Sequence, residues 1–380
     1  MKITRVRPVL VSAPYGANND VELRRDYPSG KRSSAFVVIE TDEGVTGVGE
    51  TLVGFFVPEI AAQLIGHLGK KLVGRDPFAI AELQRGMRLE TSFWTRSGLT
   101  KCVISALEIA LYDLKGQALG VPAYELLGGA KIPKLRLYAS GGINKPLDDL
   151  AAEMNSYVEM GFKAVKIRAR ELQVDKVEVT RAAIGPETKL IVDMNQSFVQ
   201  QPIGFVEAMR YAREIAKHDI FFLEEPLEVD DVDGYRQMVK CSPMPISGGE
   251  TFSSAAEFQR HVEVGCFHVV QPDATTVGGV GECYEVIAGA QSRGVDAIPH
   301  VWGAAPCVAA NVHAAFAAGA RMCEWPMLPN PLRDEMYLEP FVIKDGELQK
   351  PRLPGLGIQL TEQLIEKYPY LPGTAHPGRF

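Results

Sequence analysis

The chain has 380 residues, 46% hydrophobic and 23% charged, with a net charge of -7. That length accommodates a full barrel of strands and helices plus a second, smaller domain, in a composition ordinary for a soluble globular protein. The acidic balance leaves no basic footprint for nucleic acid, so an anionic ligand must be held by a local cation or a metal.

The N-terminus, MKITRVRPVLVSAPYG, carries Lys2, Arg5 and Arg7 but lacks the apolar run of a signal peptide, and reads as a first β-strand. RSSAFVVIETDEGVTGVGET reads as a hairpin turning at Asp42-Glu43-Gly44. Helical patterns follow over 58–73, 76–91 and 98–118. A meander followed by helices predicts an α+β module over residues 1–130, with the glycines and Pro133 of LLGGAKIP marking its end.

From Leu135 short strands alternate with helices: LRLYAS, AVKIRA, KLIVDMN, IFFLEEP, PISGGE, FHVVQPD, DAIPH and RMCEW. Eight such strands close a (β/α) TIM barrel, an α/β fold, predicted here over 131–328. EPFVIKDGELQ and PGLGIQL then read as two more strands in a segment, 329–380, expected to fold back onto the N-terminal module because the barrel is already full. The uncharged stretch Val301–Ala320 is interrupted by Pro306, Asn311 and His313, which suits a buried barrel helix better than a membrane span. VGGVGECY lacks the third glycine of a dinucleotide fingerprint and reads as the loop leaving the sixth barrel strand. Six scattered cysteines without a C-x-x-C pair read as reduced core residues, and a cytoplasmic location follows as the default.

Asp193, Glu224, Glu250, Asp273, His300 and Glu324 each close a short strand-like run, at successive gaps of 31, 26, 23, 27 and 24 residues by subtraction. Each gap is about one strand, one helix and two loops, which places all six at a barrel's catalytic mouth. Asp193, Glu224 and Glu250 end adjacent strands, and three converging carboxylates repel one another unless a cation lies between them. A hard divalent ion, Mg²⁺, suits such oxygen ligands; the rival reading is solvent-facing acids at loop starts. Lys166 and Arg168 lie two apart on the second strand and share its face. They would hold a substrate carboxylate and stabilise charge formed on deprotonation, unless they only form salt bridges. Asp273 beside His300 would fix the imidazole tautomer and make it a general base, although a lone histidine is more often structural. Glu324 could hydrogen-bond substrate or serve the structure alone.

Together, Lys166-Ile-Arg168, Asp193-Met-Asn195, Leu223-Glu224-Glu225-Pro226, Gly249-Glu250, Gln271-Pro272-Asp273, Pro299-His300 and Glu324 resemble the mandelate racemase subgroup of the enolase superfamily, essentially end to end. The resemblance implies a modified barrel under an N-terminal capping domain, a homo-oligomer, and Mg²⁺ on Asp193, Glu224 and Glu250. It implies removal of the proton α to a carboxylate to give a metal-stabilised enediolate. The ligand it implies in the Glu-Glu-Pro segment is Glu224 and not Glu225.

Two departures narrow the reaction. No lysine occurs between Lys240 and Lys344, which disfavours the muconate-lactonising branch with its sixth-strand lysine base. Arg168 stands where mandelate racemase has a second lysine base, and a guanidinium is a poor base and a good anion clamp. Racemisation needs a base on each face; dehydration needs one, with Lys166 left as a second acid–base group. The expected reaction is dehydration of an aldonate or aldarate to a 2-keto-3-deoxy acid. A sugar-lactone cycloisomerase is the alternative, since Gly248-Gly249-Glu250-Thr251 and Pro299-His300-Val301-Trp302-Gly303 resemble galactarolactone cycloisomerase; an epimerase comes third, and a non-catalytic binding protein is disfavoured by the intact ligands and dyad. Substrate contacts are expected from Asn195 and Trp302 and from the cap loops, at Tyr15, Arg24, Arg25 and Phe55.

Overall fold

The computed structural model describes residues 1–15, 29–143 and 145–376. Three antiparallel strands, β1 (Ile3–Pro14), β2 (Lys31–Thr41) and β3 (Thr46–Thr51), form the cap sheet in that order. Helices Pro58–Leu72, Ile80–Thr91 and Leu99–Leu119 follow, and an apolar cluster including Ile39, Leu68, Ile104 and Leu107 joins them to the sheet. Strand β3 lies so close to the last helix that a Cβ on Gly49 would fall 1.9 Å from the Ala106 carbonyl oxygen, and one on Gly47 would fall 2.1 Å from that of Ala110. Only glycine permits that approach.

Among the described residues, eight parallel strands build the second domain: β4 (Lys134–Ser140), β5 (Ala164–Arg168), β6 (Lys189–Asp193), β7 (Ile220–Glu224), β8 (Ile246–Gly248), β9 (Val269–Val270), β10 (Asp296–Ala297) and β11 (Cys323–Pro326). They pair in chain order from β4 to β10, and β11 pairs with β4. The last seam is joined by the Glu324 N–H donating to the Pro299 carbonyl at 3.2 Å, just past β10. Tyr138, Ala164, Ile191, Phe222, Val269, Ile298 and Met322 pack as one apolar layer inside the barrel. Two residues beyond six of these stand Ser140, Lys166, Asp193, Glu224, His300 and Glu324. The two-residue period of a strand therefore carries each of these side chains from the floor of the barrel to its mouth.

Strand β8 breaks this rule, because Glu250 lies an odd number of residues from the strand's interior positions. Gly249, at φ +100°, redirects the chain before it. The hairpin of β12 (Ile343–Lys344) and β13 (Glu347–Gln349) does not return to the cap, as expected above, but pairs antiparallel with the start of β4. The stretches that do reach the cap come later, beginning with Leu356 of PGLGIQL, whose N–H donates to Asp113 Oδ1 of the last cap helix at 2.8 Å. Ser12 N–H donates to the Tyr368 carbonyl at 3.2 Å, and Thr374 Oγ1 lies 2.7 Å from both Ser12 Oγ and Ser33 Oγ.

Two cap carboxylates dock on barrel helices. Glu108, in the last cap helix, accepts the Val280 and Gly281 N–H groups at 2.7 and 3.0 Å, at the start of helix Val280–Gln291. A Cβ on Gly279 would lie 1.9 Å from Glu108 Oε2, so the glycine-rich VGGVG segment is a seat for this acid. Glu50, in β3, likewise accepts from Ala304 at 2.9 Å and Cys307 at 3.3 Å at the start of helix Ala305–Ala318. That helix is buried along its whole length. Among the described residues, no helix is long and apolar enough to cross a membrane. Five cysteines are buried; Cys241 is exposed.

Glu108→Ala should cost about 2–4 kcal/mol in denaturant unfolding, because two buried N–H groups lose their acceptor. A change under ~0.5 kcal/mol, within the range of ordinary surface substitutions, would show the docking to be incidental.

Candidate active site

Among the described residues, the mouth holds six carboxyl groups, those of Asp193, Glu224, Glu225, Glu250, Asp273 and Glu324, all buried. Lys166, buried to the same degree, lies 2.7 Å from Glu224 Oε1, 3.0 Å from Glu324 Oε1 and 3.6 Å from Asp193 Oδ2. Arg168 Nε lies 3.4 Å from Asp193 Oδ2. Burial works against the Lys166 ammonium, but Glu224, Glu324 and the other neighbours outweigh it and hold the group well above its usual range. Arg168, lifted likewise by Asp193 and Glu250, stays a cation. Lys166 is thus enclosed by three acids.

His300 Nδ1 meets Asp273 Oδ2 at 2.9 Å, while Nε2 faces the mouth, 3.5 Å from Glu250 Oε2 and 4.0 Å from Glu324 Oε2. Asp273 is itself anchored: its Oδ1 accepts from Thr275 N–H and Oγ1 at 2.8 Å and from Asn311 Nδ2 at 3.0 Å. That grip fixes the imidazole, with Nδ1 donating to Asp273. Burial lowers the His300 pKa, but Glu250, the Asp273 hydrogen bond and Glu324 together raise it to about 10. Glu324 moves the other way. Burial favours its neutral form, yet Lys166, His300, Ser140 and the Val301 N–H overcome this and hold it at about 2, so it is an acceptor.

Asp193, Glu224 and Glu250 offer ligand atoms within 4.8 Å of one another. Glu224 Oε2 and Glu250 Oε2 are buried without a hydrogen-bond partner, as are both oxygens of Glu225. Burial, opposed by Lys166 and reinforced by Asp193, raises Glu224 to about 8. Burial, with Glu250 and Asp193, also raises Glu225 well above the usual carboxylate range. Crowded acids that hold protons and keep uncommitted oxygens fit a hard divalent cation.

The expected substrate contacts divide. Trp302, Tyr15 and Arg168 line a pocket that opens onto Glu324, with Trp302 Nε1 donating to Tyr15 Oη at 2.8 Å. Phe55 stands behind that lining and packs edge-on against Trp302 with ring centroids 4.6 Å apart. Asn195 is buried in left-handed backbone, where its N–H donates to Asp193 Oδ1 at 2.9 Å and its Oδ1 accepts from Arg170 at 3.0 and 3.2 Å. It orients Asp193 rather than lining the pocket. Arg24 and Arg25 lie outside the described residues. The pocket also contains Arg32, Ser140 and Asn330, which the sequence reading missed. Ser140 was findable as the end of the first barrel strand. Nothing in the local pattern marks the other two.

Residues 149–364 match the family described as enolase C-terminal domain-like, and residues 28–128 match the mandelate racemase / muconate lactonizing enzyme N-terminal domain. An arabinonate dehydratase of Saccharolobus solfataricus is 31% identical, over 87% of this chain and 89% of its own. A D-galactarolactone cycloisomerase of Agrobacterium fabrum is 28% identical over 97% of this chain and 99% of its own. The crystal structure of the 3,6-anhydro-D-galactonate cycloisomerase from Zobellia galactanivorans superposes with a TM-score of 0.87 at 30% identity, covering 97% of this chain and 99% of that one.

Asp273→Asn removes the charge that faces His300 Nδ1, so the imidazole should titrate below the wild type's value of about 10 in the metal-free protein. Histidine nitrogen NMR would follow it; an unmoved midpoint would exclude Asp273 as a cause.

Proposed function

This chain belongs to the mandelate racemase / muconate lactonizing enzyme family, and from that membership we propose that it dehydrates an acid sugar, an aldonate or aldarate, to a 2-keto-3-deoxy acid. The observation that carries the reading is the asymmetry of the mouth. One imidazole, His300 with Asp273 behind it, faces two side chains held as cations, Lys166 and Arg168. A single base serves an elimination; a racemase needs two.

Asp193, Glu224 and Glu250 would hold Mg²⁺. Bound there, Mg²⁺ would offset the substrate carboxylate's charge as it becomes dianionic and, by neutralising Glu250, would bring His300 down toward its ordinary 6.5. Arg168 clamps the substrate carboxylate, and the Lys166 ammonium stabilises the oxygen on which charge accumulates. His300 Nε2 removes the α-proton and becomes an imidazolium supported by Asp273. The enediolate electrons then expel the β-hydroxyl, which takes the same proton from Nε2 and leaves as water. The remaining enol tautomerises to the 2-keto acid. Glu324, held ionised, accepts a hydrogen bond from a substrate hydroxyl.

The end-to-end similarity to two cycloisomerases favours one second reading, in which a ring oxygen is the leaving group and the same base serves. Proton NMR in D₂O with Mg²⁺ and pooled aldonates, aldarates and their lactones decides between them. A 2-keto-3-deoxy product is expected; a rearranged product without loss of water selects the cycloisomerase, and α-deuteration with inversion rejects both. His300→Asn should slow α-proton exchange by about 10³-fold without weakening metal binding.

Because Glu224 holds a proton up to about pH 8, Mg²⁺ binding should expel protons, and affinity should rise between pH 6 and 8. Calorimetry in buffers of different ionisation enthalpy measures this, and Glu250→Gln should weaken binding at least ~10-fold. Proton-independent binding would place the ion elsewhere.

A further inference from the structure

We infer that Arg32 is the specificity-determining residue of this pocket and selects substrates with a second anionic group remote from the α-carbon: diacids or their monolactones. The inference rests on the acid-sugar reading above and deepens it.

Arg32 opens β2 and is 3% exposed. Its Nη2 donates to the Trp302 carbonyl at 2.8 Å, while its Nε is buried without a partner. The rings of Phe55, Trp302 and Tyr15 surround the guanidinium, with centroids 4.6, 4.9 and 5.2 Å from Cζ. Among the described residues no carboxylate lies within 4.0 Å of it. Glu50, close enough to feel its charge, directs its oxygens to the N–H groups of Ala304 and Cys307. A buried cation is costly unless an anion pairs with it, and the ring faces offset only part of that cost.

The missing anion has an access route. Arg32 lines the same pocket as Arg168 and Glu324, and both guanidinium groups lie over the Trp302 indole, Arg168 Cζ at 5.9 Å. One indole thus carries a cation for the reacting carboxylate and another for the far end of the substrate. Arg333, the other cation lining the pocket, is committed to the carbonyls of Pro326 and Leu328 and to Asp334. Asn330 is tied to Gly303 and Leu332. A diacid supplies Arg32 with a charged acceptor, whereas the terminal hydroxymethyl of an aldonate offers only a neutral one, roughly half as strong.

The test is kcat/KM for six-carbon aldarates and for the aldonates matching them in configuration. Wild type should prefer the diacid, and Arg32→Met should lower the diacid-to-monoacid ratio about 100-fold, mainly through KM. Arg32→Lys should recover part of that ratio. A purely structural Arg32 would depress both substrates alike, and an unchanged ratio would overturn the inference. A wild-type preference for the monoacid would overturn it without any variant. Exchange of the α-proton in D₂O separates the two levels. Exchange with monoacids but not diacids removes the role of Arg32 and leaves the acid-sugar reading standing. No exchange with either removes both.

Discussion

The structure depends on the crowding of six buried carboxyl groups around three cationic side chains at one end of a barrel. Like charges at this spacing in a poorly solvated site cannot all ionise unaided. The chain relieves the conflict in two ways. Glu224 and Glu225 are driven toward their protonated forms, while Lys166 sits where it touches Asp193, Glu224 and Glu324 together. Both arrangements leave carboxylate oxygens without partners, a configuration that suits a divalent cation.

Such repulsion would pry apart a soft scaffold. Here Lys166, Asp193, Glu224, His300 and Glu324 are each fastened to a strand whose side chain two residues earlier is locked in the apolar layer that fills the barrel. Backbone hydrogen bonds link every strand to the next, including the seam from Glu324 to Pro299. Where alternation would misplace a group, backbone conformation corrects it, as Gly249 does before Glu250 and the left-handed Asn195 does after Asp193.

The cap is part of the same machine. Glu50 and Glu108 anchor it on the N-termini of two barrel helices, and the glycines after β9 leave the room that Glu108 needs. Trp302 then couples cap to chemistry. It lies two residues beyond His300, its carbonyl receives Arg32, and its ring meets Tyr15 and Phe55.

Most of the barrel and its ionisable ring were legible in the sequence, because strand periodicity and even spacing are local properties that survive folding unchanged. Lys166 and Arg168 two apart, the acids ending successive strands, and the Asp273–His300 pair all follow from that. What stayed hidden was decided by contacts between segments far apart in the chain. Nothing local showed that Arg170 would hold Asn195 Oδ1, and VGGVG was a loop of no evident purpose until Glu108 reached it from 172 residues away. The β12–β13 hairpin chose β4 over the cap, since a strand's unpaired edge gives no sign in the sequence of where its partner lies. Arg32 looked like one more charge at the start of a strand. Only the tertiary structure buries it among three rings with, among the described residues, no carboxylate within ion-pair distance, because burial and pairing belong to the assembled neighbourhood and not to the residue.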